Sequence, residues 1–253
     1  MNLRPLRKLI SGPVEIYTVP ALDDNYCYLI RRAGTKTCAV VDPSTAAPIR
    51  KALAELGLTL DLILNTHHHH DHIGGNEDLL SENPKLPVFC SSYDKPRIPQ
   101  ATRGFGDGES FEYQNLAGQV LSIPGHTLGQ IAFHFPEARA LFVGDTLFSM
   151  GCGRLFEGSA QTMWESFAKI KSLPPETRIF FGHEYTDKNG LFALTVEPNN
   201  LRIRERMDQT KKDLATYSSA RAPSLFEELE VNPFLRAPDA LAFAHRRSLR
   251  DKF

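Results

Sequence analysis

Leu60-Asp61-Leu62-Ile63-Leu64-Asn65-Thr66-His67-His68-His69-His70-Asp71-His72-Ile73-Gly74-Gly75 is the stretch on which the reading of this chain turns. Its first five residues have the pattern of a buried strand, and five of the nine histidines follow between residues 67 and 72. A histidine run can be an expression tag, but tags sit at termini among flexible residues, and this one lies between a strand and a glycine pair. That is a strand end leading into a helix, where ligands gather in α/β folds. Crowded imidazoles raise one another's cost of charging, and neutral imidazole is the form that binds metal. In an extended segment His67 and His69 share a face and can grip one metal. Asp71 and His72 fall where the chain turns and can reach a second. His68 and His70 point away, as packing or supporting residues.

One strand end cannot surround two metals, so further ligands are expected from other strand ends. Pro124-Gly125-His126-Thr127, Gly144-Asp145-Thr146 and Gly182-His183-Glu184-Tyr185 each place a His or Asp just after an apolar run, beside a glycine that permits close backbone approach. Each is weak alone; three in order after the histidine-rich loop make a strong signal. Asp42, at the end of another run, is either an acceptor for a ligand imidazole or a strand-end cap before Pro43. Cys152 is near these residues in sequence but has no His–acid partner of its own, and it reads as structural.

Composition narrows the class. With 253 residues, 42% hydrophobic and 23% charged, this is an ordinary globular chain that needs no disulfide or structural metal to hold a core. The net charge of -1 gives no reason to expect nucleic acid or an anionic membrane as partner. Charge is uneven, however: residues 199–253 carry 11 Lys and Arg against 8 Asp and Glu, leaving the rest at -4. That basic excess is either a solvated helical face or a docking surface for an anionic small molecule. The four cysteines are scattered singly, with no C-x-x-C pair. No apolar run has signal-peptide form or approaches the roughly 20 residues that span a bilayer, so a cytoplasmic protein is expected.

Short apolar runs bounded by turn residues predict strands at 14–19, 26–30, 37–41, 60–64, 87–90, 120–123, 131–135, 140–143 and 178–181. Helical patterns predict helices at 46–56, 76–81 and 162–173, then at 199–217, 224–230 and 239–247. Many strands with interspersed helices suggest two sheets covered by helices, a layered α/β arrangement, with a helical part at the C-terminus.

The Thr66-His67-x-His69-x-Asp71-His72 segment with the later His, Asp and His resembles the metallo-β-lactamase superfamily. Asp24-Asn25-Tyr26, Gly144-Asp145-Thr146-Leu147-Phe148, Gly151-Cys152-Gly153-Arg154, Gly182-His183-Glu184-Tyr185-Thr186 and Asn232-Pro233-Phe234 resemble the hydroxyacylglutathione hydrolases, or glyoxalases II, from about Tyr17 to Phe253. The resemblance implies an αββα sandwich, residues 1–185, followed by a helical substrate-binding domain, residues 186–253. It implies two divalent ions per chain, zinc first, with Fe(II) or Mn(II) as alternatives. His67, His69 and His126 would bind one, and Asp71, His72 and His183 the other, with Asp145 bridging. It also implies hydrolysis of S-lactoylglutathione to lactate and glutathione, the second step of methylglyoxal detoxification. A monomer is expected. Substrate contacts would fall on Arg154, Phe156, Tyr185, Arg247 and Arg250. Arg154 and Arg250 stand where some members have lysine, and Phe156 where a tyrosine hydroxyl could bond the peptide.

Two divalent metals roughly 3.5 Å apart lower the pKa of a shared water toward neutrality, so hydroxide can attack a thioester with no protein nucleophile. Asp71 and Asp145 would supply the anionic ligands, and mixed His/carboxylate ligation suits the metals named. The competing expectations are an iron-dependent glutathione persulfide dioxygenase, which would leave the second ligand set idle, and a non-enzymatic metal-binding protein, which would saturate its metals.

Overall fold

The computed structural model describes residues 5–253. Seven strands form the first sheet in chain order: β1 (Arg7–Ser11), β2 (Val14–Ala21), β3 (Asn25–Arg32), β4 (Thr37–Val41), β5 (Thr59–Leu64), β6 (Val88–Ser91) and β7 (Arg103–Phe105). Pairing is antiparallel from β1 to β4 and parallel from β4 to β7. The second sheet contains β8 (Ser110–Tyr113), β9 (Leu116–Ser122), β10 (Ile131–Phe135), β11 (Ala140–Gly144) and β14 (Arg178–Phe181), in the order β14-β11-β10-β9-β8. Between β11 and β14 the chain makes a small hairpin of β12 (Leu147–Phe148) and β13 (Gly151–Cys152).

The apolar runs are nearly continuous because both faces of the first sheet are covered. Tyr28, Ile30, Ala39, Val41, Leu62 and Leu64 point to the core shared with Val120, Phe133, Phe142 and Phe180 of the second sheet. Their neighbours Cys27, Leu29, Cys38, Val40 and Ile63 point the other way, onto Ile49 and Ala52 of α1 (Ala46–Leu56) and, beyond the single turn of α2 (His70–Ile73), Leu79 of α3 (Asn76–Glu82). Met163, Phe167 and Ile170 of α4 (Ala160–Lys171) join the shared core as well. The layers are those of an α/β sandwich. The segments after β2, β4, β5, β9, β11 and β14, which follow strands of like direction within each sheet, carry the candidate polar residues.

Several elements lie outside the predicted set, each for a local reason. β1 is half exposed along its length, and β7 and β8 are short. The β8–β9 turn uses Gln114 and Asn115 at positive φ rather than a glycine pair. Helix α5 (Thr186–Val196) carries Gly190 in its interior, a poor helix former. A Cβ there would lie 2.5 Å from Met207 Cγ, so close packing on α6 (Leu201–Thr216) explains the residue. The remaining helices, α7 (Leu225–Val231) and α8 (Ala240–Asp251), are capped by Ser224 and Asp239. Helix α8 runs past the predicted end at 247 and so carries Arg250. No helix among the described residues is long and apolar enough to cross a membrane.

Helix α7 fastens the β12–β13 hairpin. Buried Glu228 accepts from Ser149 Oγ (2.9 Å) and Met150 N (2.8 Å), while Asn232 Nδ2 donates to Phe148 O and Gly151 O, each at 3.0 Å. Asn232→Ala leaves these buried groups short of partners, at a cost of roughly 2–3 kcal/mol. We expect Tm to fall by roughly 4–12 °C in calorimetry; a shift within 1 °C would refute the clasp.

Candidate metal centre

The candidate ligands follow strand ends, and most are steered by a residue outside the ligand set. Asp42, held at φ 49, accepts from Thr66 N (2.7 Å) and Thr66 Oγ1 (2.6 Å), which fixes the loop leaving β5. Its Oδ2 also lies 3.0 Å from His72 Nδ1. The acceptor reading of Asp42 is therefore the one its contacts support. His183 Nδ1 is 2.7 Å from Asp24 Oδ1, and His126 Nδ1 is 2.8 Å from the Arg154 carbonyl. Asn25 Nδ2 reaches Asp71 Oδ2 at 3.1 Å. An antiparallel bridge between Asn25 and His183 ties the turn after β2 to the segment after β14.

Thus oriented, His67, His69 and His126 form one group and Asp71, His72 and His183 another, with ligating atoms all within 4.8 Å in each. His69 presents Nδ1, 3.0 Å from His126 Nε2. His72 Nε2 and His183 Nε2 are 3.3 Å apart. Asp145 stands between the groups: Oδ1 is 3.3 Å from His72 Nε2, and Oδ2 is 3.3 Å from His183 Nε2 and 3.5 Å from His126 Nε2. Asp42, His67 and His72 also lie close enough to suggest a third group. The Asp42 oxygens are already taken by Thr66 and the far nitrogen of His72, so it positions rather than ligates.

The donors fit divalent cations. His67 Nε2 and Asp145 Oδ1 are buried without a hydrogen-bond partner, an expensive arrangement unless an ion satisfies them. Ligand bonds of about 2.0–2.1 Å put tetrahedral edges near about 3.3–3.4 Å, the spacing seen between these atoms. The far nitrogens of His72, His183 and His126 meet carboxylates or a carbonyl, as is usual for metal-bound histidine.

Without metal the two groups differ in charge. Burial, and then the neighbouring imidazoles, hold His67 well below the usual histidine range and push His69 down to about 4; burial also lowers His126. Burial opposes charge on His72 and His183 too, but Asp145 and the other carboxylates outweigh it, raising His72 well above its usual value and His183 to about 10. Burial would raise the acids, yet the His72 and His183 partners keep Asp145 and Asp71 below the usual carboxylate range.

These groups open onto a cavity of about 450 Å³, also lined by all five residues predicted to meet substrate. Tyr185 stacks on His183, with centroids 5.0 Å apart and planes at 4°. Phe156, 61% exposed, sets its ring edge-on to His69 and His126 at 5.6 and 5.2 Å. Arg154 is exposed at the rim, and Arg250 donates to Asn189 Oδ1 at 3.3 Å. Arg247 is buried and already engaged, with Nη1 on Cys152 O and Nη2 on Asp251 Oδ1, each at 2.9 Å. Cys152 lines the cavity as a thiol, pushed up to about 11 by burial. His70 is exposed, and His68 turns toward Asp94.

Sequence reasoning gave no role to Asp24, Asn25, Asn189 or Asp251. Asp251 follows Arg247 at helical i+4 spacing, a signal available in the sequence. The others act across separations such as the 159 residues between Asp24 and His183, which no local pattern reveals.

Comparison with known proteins adds to this geometry. Residues 21–183 match the model of the metallo-beta-lactamase superfamily, and residues 184–253 match that of the hydroxyacylglutathione hydrolase C-terminus. The chain is 42% identical to a hydroxyacylglutathione hydrolase of Methylococcus capsulatus over 255 residues, covering 95% of this chain and 99% of that one. It is 44% identical to a hydroxyacylglutathione hydrolase of Synechococcus sp. strain JA-3-3Ab, covering 95% and 100%. Among solved structures, ETHE1 from Myxococcus xanthus aligns with TM-score 0.66 at 24% identity, over 96% of this chain and 89% of that one. The B3 metallo-beta-lactamase BLEG-1 aligns with TM-score 0.66 at 21% identity, over 87% and 99%. At those identities the two structures bear on the fold alone.

In the metal-free protein His183 should keep its proton until the pH nears about 10, whereas His69 stays neutral down to about 4. Because the folded pKa of His183 exceeds its usual 6.5, the stability it confers is complete below 6.5 and is lost as pH rises through about 10. Histidine-resolved NMR titration of metal-free protein checks both values; two ordinary titrations near 6.5 would contradict the charge arrangement.

Proposed function

Because the chain belongs to the hydroxyacylglutathione hydrolase family of the metallo-beta-lactamase superfamily, we propose that it hydrolyses S-(2-hydroxyacyl)glutathione thioesters, S-lactoylglutathione first among them. The products are glutathione and a 2-hydroxy acid. The observation that carries this reading is the pair of ligand groups meeting at Asp145 on the floor of a cavity with arginines at its rim.

His67, His69 and His126 would hold one divalent ion and Asp71, His72 and His183 a second, with Asp145 reaching both. Zinc suits this set best, and Fe(II) or Mn(II) would also be accepted. When bound, the ions supply an activated water nucleophile at neutral pH and Lewis-acid polarisation of the thioester carbonyl.

The rest falls to the chain. Asp42, Asp24 and the Arg154 carbonyl hold the imidazoles in register, and Asp145 and Asp71 offset cationic charge in a buried site. Arg154 and Arg250 meet the carboxylates of the glutathione moiety by charge-assisted hydrogen bonds, with Tyr185 and Phe156 forming aromatic walls. Arg247 braces Cys152 and, with it, the end of the hairpin. The leaving thiol has an ordinary pKa of about 8.5 and departs with little protonation. The complete Asp71–His72–His183 group disfavours a persulfide dioxygenase, which would leave it idle.

Residues 1–185 act as the catalytic domain and residues 186–253 as the substrate-binding domain in this reading. The working state is a monomer in the cytoplasm, where four free, buried cysteines are at home.

Zinc-reconstituted protein should hydrolyse S-lactoylglutathione without consuming oxygen on glutathione persulfide; the reverse pattern would overturn the reading. Asp145→Ala should lose metal and hydrolysis together, as measured by elemental analysis and rate on one sample. Arg250→Ala should raise KM about tenfold, the loss of one charged hydrogen bond, while kcat stays within about twofold. An unchanged KM would remove Arg250 from the substrate site.

A further inference from the structure

His68 lies between two candidate ligands in sequence yet belongs to neither ligand group. Its Nδ1 is 3.3 Å from Asp94 Oδ1, and both of its ring nitrogens lie 3.3 Å from Arg97 Nη1. Asp94 is fully buried, and neither of its carboxylate oxygens has a hydrogen-bond partner. The nearest basic side chains are His68, at 3.3 Å, and Arg97, at 3.6 Å. A buried carboxylate so sparsely compensated is costly to maintain, and the centre described above makes no use of it.

Its surroundings connect it to three candidate ligands of one ion. The His68 ring packs edge-on against the His69 ring, with centroids 5.0 Å apart, and follows His67 directly in the chain, so fixing His68 restricts where both ligands can turn. The carboxylate also packs directly on Gly129, three residues beyond His126; a Cβ there would lie 2.1 Å from Asp94 Oδ1. Arg97 continues the network to Glu157 Oε1 at 2.7 Å, and Glu157 Oε2 accepts from Leu128 N at 2.7 Å. Glu157 N donates in turn to His126 O at 3.3 Å. The Asp71, His72 and His183 group is steered instead by Asn25, Asp42 and Asp24.

We infer that Asp94, acting through His68, is the positioning residue for the ion held by His67, His69 and His126, and that it sets the affinity of that ion independently of the other. The inference rests on the two-ion reading given above. His67 has a second hold, Thr66 Oγ1 at 3.1 Å from its Nδ1, so losing the anchor weakens this half of the centre without abolishing it.

The test is competition for Zn²⁺ between a chromophoric chelator and the full chain, as native protein, Asp94→Asn, His68→Leu and His68→Gln. Asp94→Asn and His68→Leu should weaken one of two Zn²⁺ equivalents by about 10–100-fold, leave the other within about threefold, and lower kcat with KM retained. His68→Gln keeps a donor of similar reach and should bind both equivalents nearly as native protein does. Should Asp94→Asn fail to fold, the partly exposed His68 pair carries the comparison. Equal weakening of both equivalents, native affinity in His68→Leu, or no difference between the Leu and Gln variants would overturn the inference. A native chain that binds fewer than two Zn²⁺ would defeat the two-ion reading, and this inference with it.

Discussion

The structure is organised around one buried carboxylate. Asp145 leaves the end of β11 and stands within 3.5 Å of imidazole nitrogens from both ligand groups. A carboxylate that is 6% exposed needs positive charge close by, and everything around it answers that need. In metal-free protein His72 and His183 supply the charge by keeping their protons; in the proposed working state, cations supply it. The fold serves this single requirement by bringing strand ends of both sheets to one place.

A second set of contacts makes the arrangement rigid. Asp42, Asp24 and the Arg154 carbonyl each take the far nitrogen of one imidazole, so ring orientation is settled before any ion arrives. Such preorganisation costs stability, and the layered core of stacked aromatics, Phe142 on Phe180 at 4.8 Å among them, stabilises the whole against it. The helical C-terminus contributes in another way. Through Glu228, Asn232 and Arg247 it holds the β12–β13 hairpin, whose continuation forms one wall of the cavity.

What the sequence disclosed follows from how far each signal travels along the chain. β4 at 37–41 and β10 at 131–135 match the predicted bounds because both their faces are buried, which leaves an unbroken apolar run. Residues His67, His69, Asp71, His72, His126, Asp145 and His183 were legible because glycine and strand-end context marks them locally, and the structure brings all seven together. β1 and α5 were not legible. The first is a half-exposed edge strand; the second owes its helix to packing against Met207 rather than to its own propensities. The steering residues stayed hidden for a related reason. Asp24 and Asn25 belong to a recognisable motif, but only the fold places them on His183 and Asp71.

The central claim is that two ions sharing Asp145 do the hydrolysis together. Its most direct test is the rate of S-lactoylglutathione hydrolysis as Zn²⁺ is added to metal-free protein, with bound metal counted on the same samples. Activity that climbs until two equivalents are bound and then levels off is the predicted result. Full activity at one equivalent, or none at two, would contradict it.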